Sequence, residues 1–515
     1  MNRRVRLLMT WVRGITFLLC AMSLFFLMLY GVMFAQHAVG VVRFPYQVDY
    51  GEGLELYQVS RLLTGQPLYG DINQPPYHLG VYGPLYPIIV APIAALVGVR
   101  YGAGRAVSVV SALVIAWILG KMVYDETRKR WVSIATGLLW LASHYVYSWA
   151  VLMRMDMLAS ALSLLGLYFF WHGYIRRGLE QHVYIAMVLF VAAVYCRQLA
   201  IWAAAACLTF LVTTRRWALV GKALVVYAGL GLALLGLLQA VSGGEAVRHL
   251  FLYNGRAWQI SRWQAALQVV WAMYPLAILV GLVTLVLAVL KRWPPLPALY
   301  LAFAWLSSVT IAGAGGYINH LLEANAATWL AFGLFVGQIA RSKQWLWQLI
   351  VSTALLVQVA MLIHLPYSLQ GGVLPPWTAI KPAVRSWAKQ SRAAYLWTPA
   401  PADTRVADEL SQRVDQTPGL ILSEDGSFTT THGRPMWIQF FGFTQLARLG
   451  LWDQSPFIEQ IRTRQFALLL FQFDSATDVL SYRDNVTAEM LEAIRENYVL
   501  EKRIWFYYVY VPRSQ

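Results

Sequence analysis

Tyr46–Gln47–Val48–Asp49–Tyr50–Gly51–Glu52–Gly53–Leu54–Glu55 is the stretch on which the reading of this chain turns. It sets three carboxylates, Asp49, Glu52 and Glu55, within seven residues, in a segment (1–365) that holds ten acids in all. Turn formers and aromatic rings follow: Gly65–Gln66–Pro67–Leu68–Tyr69, Pro75–Pro76–Tyr77 and Tyr82–Gly83–Pro84–Leu85–Tyr86–Pro87. Gly and Pro punctuate such a segment as turns. An acidic loop is more often a solvated connector than a site. This one is long and aromatic, as a binding loop on a rigid scaffold is, and it is read as the catalytic loop.

Working outward, apolar runs recur from Trp11 to His364, each of about 20 residues and long enough to cross a hydrocarbon core of about 30 Å. Of 515 residues, 58% are hydrophobic and 13% charged, and the mean hydropathy is +0.52, far from a soluble average. The fold class is an α-helical polytopic membrane protein. The net charge of +16 is uneven. Residues 366–515 carry 15 basic and 15 acidic side chains, whereas residues 1–365 carry 26 and 10. A basic excess confined to the apolar part is an orientation signal, not a nucleic-acid footprint, so nucleic acid is excluded as a partner. Cys20, Cys196 and Cys207 all lie in or at apolar segments, which leaves neither a disulfide framework nor a CxxC metal site.

At the N-terminus, Arg3, Arg4, Arg6 and Arg13 precede an apolar run from Gly14 to Ala35. The run is long and lacks a small-x-small cleavage site, so it reads as an uncleaved first span rather than a signal peptide. The N-terminus is then cytoplasmic, the acidic loop (36–102) lies outside, and the membrane is the plasma (inner) membrane. Ile88–Val99 is apolar but short and follows Pro84 and Pro87, with Pro92 inside it. Read as an interfacial helix rather than a span, it restores a consistent charge parity. Further spans fall near 103–124, 131–150, 156–174, 183–196, 198–213, 217–241, 267–290, 296–315, 323–340 and 345–365. The cytoplasmic turns are then Asp125–Arg130, Arg176–Arg177, Arg215–Arg216, Lys291–Arg292 and Arg341–Lys343, every one basic, as orientation requires. This gives about 11 transmembrane helices, with the C-terminal domain extracytoplasmic.

The segments 183–196 and 198–213 are each short of a full crossing. They predict a hairpin whose tip, Arg197–Gln198, lies below the outer surface. An Arg at that depth either snorkels or faces a partner in a polar cavity; the second reading gives an anion-facing Arg. Arg154–Met155–Asp156–Met157 lies at another outer turn, where Asp156 can simply start a helix or line the same cavity. Tyr317–Ile318–Asn319–His320–Leu321–Leu322–Glu323 gathers three polar groups in five residues at a third turn, more than helix capping needs. The segment 242–262 adds Arg248, His249, Arg256, Trp258 and Arg262. No acid stands mid-span, which argues against an ion-coupled transporter.

After Pro366 the composition becomes that of a small soluble domain (366–515), joined through Leu365–Pro366 and Gly371–Pro376. Gly419–Ser423 and Phe466–Phe471 read as buried strands and Tyr498–Pro512 as two antiparallel strands. Helices are expected at Ala402–Val414 and Thr487–Asn497. The domain is α/β, with no nucleophile elbow, phosphate loop or metal motif, and its expected role is to contact an acceptor or form a lid.

The motifs Asp49–Tyr50–Gly51–Glu52–Gly53, Gly83–Pro84–Leu85–Tyr86 and Arg154–Met155–Asp156–Met157–Leu158–Ala159 resemble those of the C-type (GT-C superfamily) polyprenol-phosphate-sugar-dependent glycosyltransferases. Protein O-mannosyltransferases and lipid A aminoarabinose transferases are members. The resemblance implies an integral membrane transferase with a polyprenyl-phosphate-sugar donor and a glycan, lipid or protein acceptor on the extracytoplasmic face. Asp49 matches the first-loop acid, but Tyr50 stands where relatives carry a second acid, so Asp49 and Glu52 both remain candidates for the base. Asp156 matches the second-loop acid. Arg197 is implied as a donor-phosphate ligand, with Gln198, Arg256 and Arg262 beside it. Arg154, Tyr82, Asn319, His320 and Glu323 are implied as the cavity lining. No cofactor is required; a divalent metal ion bridging phosphate and carboxylates is left open. Short inner turns cannot hold a nucleotide-sugar domain, which independently favours a lipid-presented donor. A flippase or transporter of lipid-linked sugars is the alternative from another class, and a structural subunit presenting the C-terminal domain is a third.

Overall fold

The computed structural model describes residues 3–255, 258–313, 315–342, 344–362, 398–475, 485–504 and 507–514. The first helix, α1 (Arg3–Arg43), runs well past Ala35, so the polar loop begins at Phe44 rather than 36. Two helices stand within that loop, α2 (Glu52–Leu63) and α3 (Leu85–Val97), the latter covering the stretch expected at the interface. Then come α4 (Tyr101–Thr127), α5 (Arg130–Ala142), α6 (His144–Trp149) and α7 (Asp156–Tyr168), the last continued by a π-helical turn to Ile175. The pair α8 (Gln181–Cys196) and α9 (Trp202–Thr213) is the expected hairpin, with Arg197 at its tip. It is followed by α10 (Trp217–Val241), α11 (Glu245–Val247), α12 (Ile260–Met273), α13 (Pro275–Val289), α14 (Pro295–Ser307), α15 (Leu322–Arg341) and α16 (Trp345–Leu362).

This is a multi-pass membrane protein, but eleven crossings are not confirmed. Among the described residues, six helical stretches are long and apolar enough to cross, seven if the pair Ile260–Trp271 and Pro275–Val289, bent by 102°, forms one broken span. Helices also stand over the other expected ranges. They are too short or too polar to be recognised alone. The range 131–150 is broken at Ser143 between α5 and α6. Helix α15, buried along most of its length from Leu322 to Gly337, carries Glu323, Asn325, Thr328 and Gln338 among its apolar residues, which dilutes its hydropathy. The basic turns do fall between helices. Arg128, Arg215 and Lys291 occupy left-handed conformations (φ 57°, 56° and 56°) just past helix ends, where cations suit the carboxyl-terminal dipole.

The C-terminal unit is a four-stranded sheet in the order β1 (Leu420–Ser423), β2 (Phe466–Phe471), β4 (Tyr507–Pro512), β3 (Tyr498–Ile504). The pair β1–β2 is parallel and the other two are antiparallel. Flanking helices are α17 (Pro401–Asp415), α18 (Phe440–Arg448), α19 (Ser455–Arg462) and α20 (Ala488–Asn497). The proposed linker, 366–376, falls outside the described residues. The unit sits on the acidic loop. Gln47 N donates to Ser427 Oγ at 2.7 Å, Tyr46 Oη to Asp408 at 2.6 Å, and Phe441 N to Tyr50 Oη at 3.1 Å. Gly53 and Gly426 meet backbone to backbone, and a Cβ on Gly426 would come within 2.8 Å of the Gly53 Cα. Loop and sheet therefore lie on one face of the helical bundle.

Candidate active site

The loop folds around Glu52. Its Oε2 accepts from Val48 N (2.8 Å), Asp49 N (3.2 Å) and Arg105 Nη2 (2.7 Å), and its Oε1 from Arg105 Nε (2.8 Å) and Met153 N (2.6 Å). Both side chains are fully buried. Arg105 spends its remaining hydrogens on the carbonyls of Val41, Phe44 and Tyr46, tying the end of α1 to the loop. Burial pushes the Glu52 carboxyl up, but the Arg105 guanidinium outweighs it and holds the group below its usual range. This geometry departs from the expectation of a candidate base. The carboxylate is saturated, it shares no proton with Asp49, and it acts as a brace.

Asp49 stands one turn earlier. Its carbonyl accepts from Glu52 N (3.0 Å) and its Oδ2 from Gly51 N (2.9 Å), the local turn that Asp favours at the entry to a helix. Arg154 lies across Gly51, where any Cβ would collide with the guanidinium; the glycine is needed for that approach. Arg154 Nη1 is 3.5 Å from Asp49 Oδ2, and its Nε is 3.9 Å from Asp156 Oδ2. Burial opposes the charge of Arg154, and Asp49, the foremost of the neighbours that favour it, helps keep it cationic. Asp156, buried at the start of α7, accepts from Trp149 Nε1 (2.9 Å) and Asn319 Nδ2 (3.0 Å) and pairs with Arg197 Nη1 at 2.8 Å. Asp49, Arg154, Asp156 and Arg197 thus form one alternating chain of charge.

Asp156, Arg197, Asn319, His320 and Glu323 line one narrow cleft, together with Trp202 and Thr310. Five residues that the sequence pointed to at three separate turns converge there. Tyr82 lies beside it, its ring 5.9 Å from the Arg154 guanidinium. Gln198 does not join a phosphate site: its amide donates to the carbonyls of Val81 (2.8 Å) and Leu250 (3.3 Å) and pins the hairpin tip. Arg262 bonds through Nε to Gln259 Oε1 at 3.1 Å near the start of α12 and is not among the residues that line the cleft. Arg256 lies outside the described residues.

Three partners were not assigned from sequence: Arg105, Trp149 and Glu55. Arg105 had a signal, since a cation near the start of a span requires a partner. Trp149 had none. Glu55 was visible only as the third acid of the loop. It is 1% exposed, with neither carboxyl oxygen hydrogen-bonded. Burial pushes it up to about 8, the Arg154 charge opposing and Asp156 and Asp49 reinforcing the shift. A metal bridging Asp49 and Asp156 does not fit these residues, because the Arg154 guanidinium already stands between the two carboxylates. Among the described residues, no group of three or more His, Cys, Asp or Glu side chains is arranged to hold a metal ion.

The fold is thus a helical membrane bundle with an acid-bearing loop on one face, capped by a small sheet domain, and the motifs of that loop resemble those of the C-type glycosyltransferases. Comparison bears out that resemblance. Residues 81–240 match the family model of dolichyl-phosphate-mannose-protein mannosyltransferases. Nearly the whole chain shares its fold with ArnT from Cupriavidus metallidurans in the apo state, with a TM-score of 0.60 at 14% identity, covering 95% of this chain and 99% of that one. The same protein bound to undecaprenyl phosphate gives 0.57 at 14% identity over 95% and 98%. The archaeal oligosaccharyltransferase AglB from Archaeoglobus fulgidus, in complex with an inhibitory peptide and a dolichol-phosphate, gives 0.50 at 10% identity over 94% and 74%. No curated protein matches the chain.

Proposed function

We propose that this protein is an integral membrane glycosyltransferase that moves a sugar from a polyprenyl-phosphate donor to an acceptor on the extracytoplasmic face. The observation that carries the reading is the Asp156–Arg197 pair in a polar cleft of the bundle. Arg197 spends one nitrogen, Nη1, on Asp156 Oδ1 and the Asn319 carbonyl. Its Nε and Nη2 are left for a phosphate, as a planar guanidinium fork suits. Of the loop carboxylates, Asp49 is the base. Glu52 is saturated, whereas Asp49 meets its cation only at 3.5 Å.

In the step, the acceptor oxygen attacks the anomeric carbon as its proton passes to Asp49. The carbon–oxygen bond to phosphate breaks, and its electron pair leaves with the polyprenyl phosphate, whose charge Arg197 stabilises. Attack opposite the leaving group inverts the anomeric centre. Radiolabelled transfer from a polyprenyl-phosphate sugar to membrane acceptors, by purified protein in detergent, tests this. Asp49→Asn should lower the rate by at least about 100-fold while donor binding persists. An unaltered rate in that variant removes Asp49 as the base. Translocation of the lipid-linked sugar without any transfer identifies a flippase instead.

A further inference from the structure

The cleft gathers polar atoms of two kinds. The donors are Arg197, whose Nη1 alone is engaged by Asp156 and the Asn319 carbonyl among the described residues, and Trp202 Nε1, which is buried and without a hydrogen-bond partner among them. The acceptors are Asn319 Oδ1 and Glu323 Oε2, likewise buried and unpartnered, on residues 6% and 8% exposed. The orientation of the Asn319 amide is fixed by chemistry. Its nitrogen faces Asp156, an acceptor only, so its oxygen must turn the other way. Acceptors left buried and unmatched are unfavourable, and a ligand bearing hydrogen-bond donors would satisfy them. A ligand matching both kinds of atom carries an anion together with hydroxyl or ammonium groups.

We propose that Asn319 and Glu323 read the sugar of the donor, accepting hydrogen bonds from it while Arg197 and Trp202 hold the phosphate, so that the site prefers a loaded lipid carrier to a spent one. This rests on the function proposed above. It adds a specificity-determining pair on the turn into α15, next to Asp156. The preference also has a consequence for turnover: once the sugar has left, the two acceptors lose their partners and the spent carrier is held more weakly.

The test measures the affinity of the purified full-length protein in nanodiscs for undecaprenyl phosphate and for undecaprenyl phosphate carrying mannose, glucose, galactose or aminoarabinose. The wild type should bind at least one loaded lipid about 10- to 100-fold more tightly than the bare one, the value of a hydrogen bond to a charged group. Glu323→Leu should erase most of that preference and leave bare-lipid affinity within about 2-fold, with Glu323→Gln intermediate because it keeps one acceptor oxygen. Aminoarabinose as the preferred sugar assigns Glu323 to an ammonium; a neutral hexose assigns it to a hydroxyl. Equal wild-type affinity for bare and every loaded lipid overturns the sugar-reading pair alone. So does a Glu323→Leu variant that elutes as a single species and weakens both kinds of lipid alike. Absence of any polyprenyl-phosphate binding overturns instead the function on which the pair rests.

Discussion

Two carboxylates three residues apart in one loop carry different duties because of what surrounds them. Glu52 meets a fully buried guanidinium and two backbone stretches, while Asp49 lies 3.5 Å from the Arg154 guanidinium. Glu52→Gln should therefore be a stability variant first. Removing one member of a buried pair strands the other, at a cost of about 3–5 kcal/mol. Thermal unfolding followed by size-exclusion recovery should show that loss, larger than the one for Asp49→Asn, because Arg154 keeps Asp156 as a second carboxylate. Glu55 gives a pH prediction of definite sign. Its folded value, about 8, lies above the ordinary carboxyl value of 4.5, with burial as the chief cause. The folded protein thus keeps a proton that the unfolded chain releases, and this contribution to stability is present in full below about 4.5 and lost as pH rises toward about 8. Glu55→Gln, which cannot ionise, should flatten that decline and melt higher than wild type at pH 8.

At the level of elements, what was legible followed from period and charge. The hairpin α8–α9 and its tip could be read because two short apolar runs flank an Arg that must lie deep. Two strands of the C-terminal sheet, β1 and β2, announced themselves as short buried runs. The end of α1 was misplaced because Gln36 and His37 look like a boundary, yet His37 is 2% exposed and Arg105 binds the carbonyls beyond it. Eleven spans were counted, whereas length and hydropathy alone single out six or seven among the described residues; a helix such as α15, which carries Glu323, Asn325 and Gln338, falls below that measure. The convergence of Asp156, Arg197 and Asn319 could be expected only through polar groups recurring at outer turns; their bonds were invisible, because no local pattern encodes a contact across 122 or 163 positions. Gln198 was misread for the same reason. Its carbonyl partners, on Val81 and Leu250, leave no side-chain signature in the sequence. The tip yields its own test. Arg197→Lys keeps the charge but not the planar fork, and should weaken undecaprenyl phosphate binding by about 10-fold or more with the fold intact. A stable variant with unchanged affinity removes Arg197 from the phosphate site.

For the whole molecule, the sheet unit and the acidic loop are bound into one face through Gln47–Ser427, Tyr46–Asp408 and the Gly53–Gly426 contact, while basic turns gather between helices elsewhere. If that face is extracytoplasmic, four single-cysteine variants in a background lacking Cys20, Cys196 and Cys207 must divide two and two. Asn73→Cys in the loop and Arg462→Cys in the sheet unit are exposed on the shared face, and should react in intact spheroplasts with an impermeant maleimide. Arg128→Cys and Arg215→Cys are exposed at basic turns, and should react only after the membrane is opened. The positive-inside preference sets the direction of this expectation; the hydrogen bonds between loop and sheet set its pairing. The inverted pattern, with 128 and 215 labelled first, would reverse the orientation and leave the fold untouched. Labelling that separates Asn73→Cys from Arg462→Cys would be more damaging, because no orientation of one rigid face can expose the loop on one side and the sheet on the other.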